Sequence, residues 1–103
     1  MIRTILTMQV RPGAEPEFEQ AWLSAADGIS RYPGNRGQSM MRDADEPGRY
    51  FITGDWQDAD ALREFQRSPQ REALSAALDP LRVSATRGVT EVLHQLDAYQ
   101  EAM

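Results

Sequence analysis

Residues 2 to 11 alternate apolar and polar side chains and the chain then changes to a helical hydrophobic period, an order that leaves few architectures open. Ile2, Leu6, Met8 and Val10 fall on one side of the first segment and Arg3, Thr7, Gln9 and Arg11 largely on the other, as in a half-buried strand. Pro12-Gly13 ends it. Glu15, Glu17 and Glu19 open the next segment, where a helix dipole favours acids, and Phe18, Trp22, Ala25 and Ile29 draw one helical stripe. Tyr32-Pro33-Gly34-Asn35 is a stop, so the pattern predicts a first helix from about Ala14 to Tyr32.

Two further strands, Arg36 to Asp43 and Arg49 to Gln57, flank the turn-rich Ala44-Asp45-Glu46-Pro47-Gly48. Tyr50, Ile52, Gly54 and Trp56 share one face of the second of these, Phe51, Thr53 and Asp55 the other, so both faces carry something large. Asp58 or Asp60 can cap a helix carrying Ala61, Leu62 and Phe65. Ser68-Pro69 can start its continuation through Ala73, Leu74, Ala77 and Leu78, with Asp79-Pro80 as the stop. Gly88 to Leu96, with Val89, Val92, Leu93 and Leu96, reads as the last strand. The order strand, helix, strand, strand, helix, strand predicts an α+β, ferredoxin-like βαββαβ fold: one antiparallel sheet with the helices on one face. A single domain over 1–103 is expected, with its core at about 1–97 and a short tail. Ile5, Met41 and Phe51 would then face water on the uncovered side, and pairing two such sheets in a homodimer would bury them.

Composition narrows the function. With 16 acidic and 11 basic residues the net charge is −5, the wrong sign for gripping a phosphate backbone, so no nucleic-acid partner is expected. Zero cysteines remove disulfides, thiolate metal sites and a cysteine nucleophile. No apolar run has the length of a membrane span and the N-terminal segment lacks the marks of a signal peptide, which points to a cytoplasmic protein without membrane contact. Phosphate-cradling glycine loops and a G-x-S-x-G elbow are both missing from the sequence. One histidine, His94, makes no usual metal site. On strand alternation it shares a face with Val92 and Leu96, as either a hydrogen-bonded core residue or a general acid or base.

Trp56 ends a strand just before a helix, where its indole N–H wants a partner, and Phe18 and Trp22 face the same space from the first helix. Arg71 sits early in the second helical stretch, either solvated or turned to the mouth of that space. Asp43, Asp45 and Glu46 are explained by turn chemistry. What remains is a small aromatic-lined pocket suited to a flat, hydrophobic molecule.

The stretch Tyr50-Phe51-Ile52-Thr53-Gly54-Asp55-Trp56-Gln57-Asp58-Ala59-Asp60-Ala61-Leu62-Arg63-Glu64-Phe65 resembles the antibiotic biosynthesis monooxygenase family. The opening strand into Arg11-Pro12-Gly13 and the Tyr32-Pro33-Gly34 stop are similar too. The resemblance implies a dimeric α+β barrel with a pocket in each subunit. Members include cofactor-free oxygenases that convert anthrones to quinones, quinol monooxygenases and haem-degrading enzymes. Ile52 stands where the polyketide oxygenases carry an asparagine, four residues before the tryptophan. Their pocket arginine matches Arg71 in Arg71-Glu72-Ala73-Leu74. The haem degraders are less similar, their second tryptophan falling at Phe65 and their iron-ligating histidine at Ser75. The resemblance therefore implies a monooxygenase with no cofactor, using molecular oxygen as co-substrate on an aromatic polyketide-type anthrone, phenol or quinol. Trp56, Arg71 and His94 are its expected catalytic residues, and Phe18, Trp22, Tyr50, Ile52 and Phe65 its substrate contacts. A non-redox polyketide cyclase or a pathway small-molecule-binding protein of the same fold is the alternative.

Overall fold

The computed structural model of the chain describes residues 1–99. Its elements are β1 (Ile2–Val10), α1 (Glu15–Ser30), β2 (Asn35–Arg42), β3 (Arg49–Trp56), α2 (Ala59–Gln66), α3 (Pro69–Leu78), a 3-10 turn (Asp79–Leu81) and β4 (Arg82–Glu91). The strands form one antiparallel sheet in the order β2-β3-β1-β4. This is the ferredoxin-like α+β arrangement expected from the sequence. No helix among the described residues is long and apolar enough to cross a membrane.

The alternation in β1 has the expected consequence. Met8 and Val10 are buried with Tyr50 and Ile52 of β3 against Phe18, Trp22 and Ala26 of α1 and Leu78 of α3. A second cluster joins Trp56 to Ile29, Leu62 and Phe65. Ala26 takes the buried place in the α1 stripe that the spacing gives to Ala25, which is half-buried. The second helical stretch is two helices. Asp58 caps α2 by accepting from the Ala61 N–H at 2.9 Å, and Ser68 caps α3 by accepting from the Arg71 N–H at 3.2 Å, with Pro69 in the first turn. Gly34, at φ 86°, turns the chain from α1 into β2 where a side chain would collide with Ala61.

The last strand requires a correction. It spans Arg82–Glu91 rather than Gly88–Leu96. β4 is an edge strand that pairs with β1 along nearly its whole length, so backbone hydrogen bonds hold it without an alternating apolar face. The apolar residues Leu93 and Leu96 lie beyond it and are exposed. The expected tail behind residue 97 falls mainly on residues 100–103, which lie outside the described residues.

Candidate active site

A cavity of about 340 Å³ lies between the helix-facing side of the sheet and the pair α2 and α3. Thr4, Leu6 and Met8 of β1 and Ile52 and Trp56 of β3 form its floor, Leu62 and Phe65 of α2 and Leu74 and Leu78 of α3 its roof. Its size suits a drug-sized organic molecule. Ala85, Arg87 and Val89, on the helix-facing side of β4, are exposed, so the cavity opens along that strand. Among the described residues its lining contains no Asp, Glu, His or Cys.

Trp56 is held on two sides. Phe65 stacks on it with ring centroids 4.7 Å apart, and Tyr32 meets it edge-on at 6.2 Å while also meeting Phe65 at 5.5 Å. Three rings in contact fix the indole plane at 2% exposure. No described residue accepts from the indole N–H. Trp56 lines the cavity, and its indole nitrogen is not among the sealed side-chain atoms without a partner. Gly54 makes room beside it: a Cβ there would lie 3.4 Å from Trp56 Nε1 and 3.2 Å from Thr4 Oγ1. The Thr4 hydroxyl donates to the Gly54 carbonyl at 3.3 Å, a long bond that leaves it able to turn to a better acceptor. Two donors on residues that line the cavity thus lie within 3.4 Å of one point, a small notch beside Gly54.

Arginines stand at its open side. Arg71 reaches the lining from the first turn of α3, and Arg82 and Arg87 from β4. Among the described residues Arg82 is paired with Asp79, whereas Arg71 and Arg87 form no ion pair. The charge balance of the lining is therefore opposite to that of the chain.

The structure brings together Trp56, Ile52, Phe65 and Arg71 of the residues expected from sequence. Phe18, Trp22 and Tyr50 pack in the neighbouring core and do not line the cavity. Tyr50 is 1% exposed and its hydroxyl donates to Glu19 of α1, beside Arg42 of β2. Burial first, and then the Glu19 carboxylate, push its phenol up to about 12. His94 lies three residues past the end of β4, exposed and away from the lining. The strand shift causes this, because the alternation that paired His94 with Val92 and Leu96 is not that of a strand there. Thr4, Gly54, Arg82 and Arg87 were not singled out from sequence. Thr4 carried a usable signal, as the polar member of an otherwise apolar inward row.

A family model described as antibiotic biosynthesis monooxygenase matches residues 1–77. Protein SchA of Streptomyces halstedii is 22% identical over 79 residues, a stretch that covers 77% of this chain and 21% of that protein, so the chain spans about a fifth of this curated relative. Among solved structures, SnoaB, a cofactor-independent oxygenase from Streptomyces nogalater, superposes with a TM-score of 0.83 at 25% identity, covering 94% of this chain and 97% of that one. A Deinococcus radiodurans protein that carries the antibiotic biosynthesis monooxygenase name superposes with a TM-score of 0.85 at 17% identity, covering 97% and 100%, a likeness of fold.

Proposed function

The chain belongs to the antibiotic biosynthesis monooxygenase family, and from that premise we propose that it is a cytoplasmic, homodimeric, cofactor-independent monooxygenase acting on an aromatic polyketide-type anthrone, phenol or quinol. The observation that carries this reading is the notch at Gly54, where the Trp56 indole N–H and the Thr4 hydroxyl lie close together in the lining of an apolar cavity. The likeness to SnoaB, described as a cofactor-independent oxygenase, supports it.

The substrate supplies the electrons. An anthrone methylene loses a proton, and the resulting electron-rich anion reduces O₂. One oxygen atom stays as the new carbonyl, and the other leaves as water with the two methylene hydrogens. The protein's part is to hold the ring system between Phe65, Ile52 and Leu74, to exclude water, and to stabilise the ring oxygen that gains negative charge. Trp56 and Thr4 donate to that oxygen in a fixed geometry, at no cost in reorganisation as the charge develops. Thr4 offers the hydroxyl that the apolar Ile52 cannot. Arg71, unpaired among the described residues, favours the ionised substrate, so a phenol or anthrone is more acidic there than in water. Among the described residues the lining holds no carboxylate or histidine, and the proton leaves to solvent along the open side at β4. His94, the expected proton acceptor, is exposed and away from the lining; unchanged turnover in His94→Ala removes it from the reaction.

Ile52 favours one competing reading, a cyclase or binding protein that uses the cavity without O₂ chemistry. Oxygen-electrode assays with an anthrone decide between them. O₂ uptake matched one-to-one by quinone formation supports the oxygenase, and turnover that persists without oxygen overturns it.

A further inference from the structure

Strict alternation along β4, counted back from Arg87, would send Arg82 to the opposite face of the sheet. The strand instead carries one extra residue. Gln9 pairs with Ser84 but Val10 pairs with Arg82, so a bulge at Val83 turns Arg82 back to the helix-facing side, which Arg87 and Ala85 also occupy. Bulges of this kind re-aim side chains beside active sites. The small side chain of Ala85 leaves the floor between the two guanidinium groups open.

Arg82 is set rather than free. Its Nε and Nη2 are held by Asp79, the former at 3.0 Å, and its Nη1 lies 3.4 Å from Met8 Sδ inside the cavity, with the side chain 17% exposed. One edge of the fork is therefore fixed and the other is presented inward. Among the described residues Arg87 has no ion-pair partner and no acidic side chain lines the cavity, although the chain as a whole carries a net charge of −5. These two arginines also stand apart from the notch. Trp56 pairs with Ile2 on one side of β1, whereas Arg87 pairs with Leu6 on the other. The notch itself, where Gly54 pairs with Thr4, lies two residues of strand from the Arg87 level and six from that of Arg82, which pairs with Val10: about 7 and 20 Å at the usual rise. A fused-ring aromatic whose oxygen sits at Trp56 therefore directs its far end toward β4.

We propose that Arg82 and Arg87, set on one face of β4 by the bulge, form an anion-binding end of the cavity that takes a carboxylate on the aromatic substrate, remote from the oxygen held at Trp56. This rests on the reading of the cavity as an aromatic-substrate site. A planar guanidinium matches a carboxylate's two oxygens, and a carboxylate on the substrate gives Arg87 the negative partner that Arg82 already has in Asp79, while Arg82 offers its inward Nη1. The class selected is an aromatic acid, in preference to the same ring system without the acid.

The test compares 2-naphthoate with 2-naphthol by calorimetry at neutral pH and low salt, on the full chain. The wild type should bind naphthoate several-fold more tightly. Arg87→Gln and Arg82→Gln should each cost naphthoate about three- to fivefold, the range of partly exposed ion pairs, and leave naphthol unchanged. Raising the salt should shrink the preference in the wild type. Arg87 is exposed and makes no ion pair among the described residues, so Arg87→Gln is expected to keep the fold and can carry the test if Arg82→Gln, by freeing Asp79, does not. Naphthoate binding no tighter than naphthol, or a preference that survives Arg87→Gln, overturns the proposal. If the preference is present and arginine-dependent while an anthrone consumes no O₂, the anion site stands and the oxygenase reading falls. If neither probe binds, the cavity is not an aromatic site and both fall.

Discussion

At the scale of single residues, Trp56 and Gly54 test the same notch from opposite sides. Trp56→Phe keeps the stack on Phe65 and removes the N–H. Losing one donor to a developing oxyanion costs on the order of 10²-fold in rate, while stability should fall by less than the roughly 3–5 kcal/mol of a truncation to alanine. Gly54→Ala keeps both donors and places a methyl between them, 3.2 Å from the Thr4 hydroxyl, so turnover should fall although Trp56 is untouched. Turnover that survives both changes would make Trp56 a packing residue. Tyr50 makes a different prediction. Its folded pKa of about 12 lies above the ordinary 10.0. The neutral phenol is thus favoured by folding, and its contribution is complete below pH 10 and lost as the pH rises through 12. The sequence has no lysine to titrate in that window. Tyr50→Phe should flatten the fall in melting temperature between pH 10 and 12. An unaltered alkaline slope would show that Tyr50 is not its source.

At the scale of elements, the junction of α2 and α3 shows how a local signal becomes geometry. Ser68 is 7% exposed; its hydroxyl accepts from the Arg71 N–H and donates to the Phe65 carbonyl at 2.6 Å. One side chain thus ties the end of the helix that carries Phe65 to the start of the helix that carries Arg71. Ser68→Ala should cost about 1–2 kcal/mol. For a domain this size each kcal/mol moves the melting temperature by about 4–8 °C, which calorimetry resolves. The Ser68-Pro69 start was legible in the sequence because caps and N1 prolines are local chemistry, and so was the turn at Asp43, whose carboxylate accepts from the Asp45 and Glu46 N–H groups at 2.9 and 3.0 Å and is held below its usual pKa by them. β4 was not legible. An edge strand is chosen by its neighbour's open hydrogen bonds, which no pattern in its own residues records, and the apolar Val92, Leu93 and Leu96 drew the reading downstream. That one displacement moved His94 out of the site and hid Arg82 and Arg87, since only the register and its bulge place them on the cavity side.

At the scale of the whole molecule, the face of the sheet away from the helices is left without cover. Ile5 and Met41 are 38% and 41% exposed there, beside a half-buried Phe51. Across the same face Arg3 and Asp55 form a two-bond pair at 2.6 and 2.9 Å, and the carboxylate raises the pKa of Arg3. A pair whose hydrogen bonds are already made within the subunit costs less to bury than one left half-satisfied. Beyond β4, Leu93, Leu96 and Tyr99 are 78%, 91% and 89% exposed on a segment with no regular structure. Two separate sets of apolar side chains thus lack a partner among the described residues, and a second copy packed sheet to sheet would offer one to both. Light scattering at micromolar concentration should therefore report twice the chain mass. Ile5→Asp sets a carboxylate in the apolar centre of that contact, and its copy in the opposite subunit doubles the cost, so the variant should elute as a folded monomer. Removing the residues after Val92 should weaken the dimer without altering the sheet, because Val92 N–H to the Met1 carbonyl at 2.9 Å is the last backbone bond that β4's continuation makes to β1. A wild-type protein that stays monomeric at that concentration would remove the barrel arrangement.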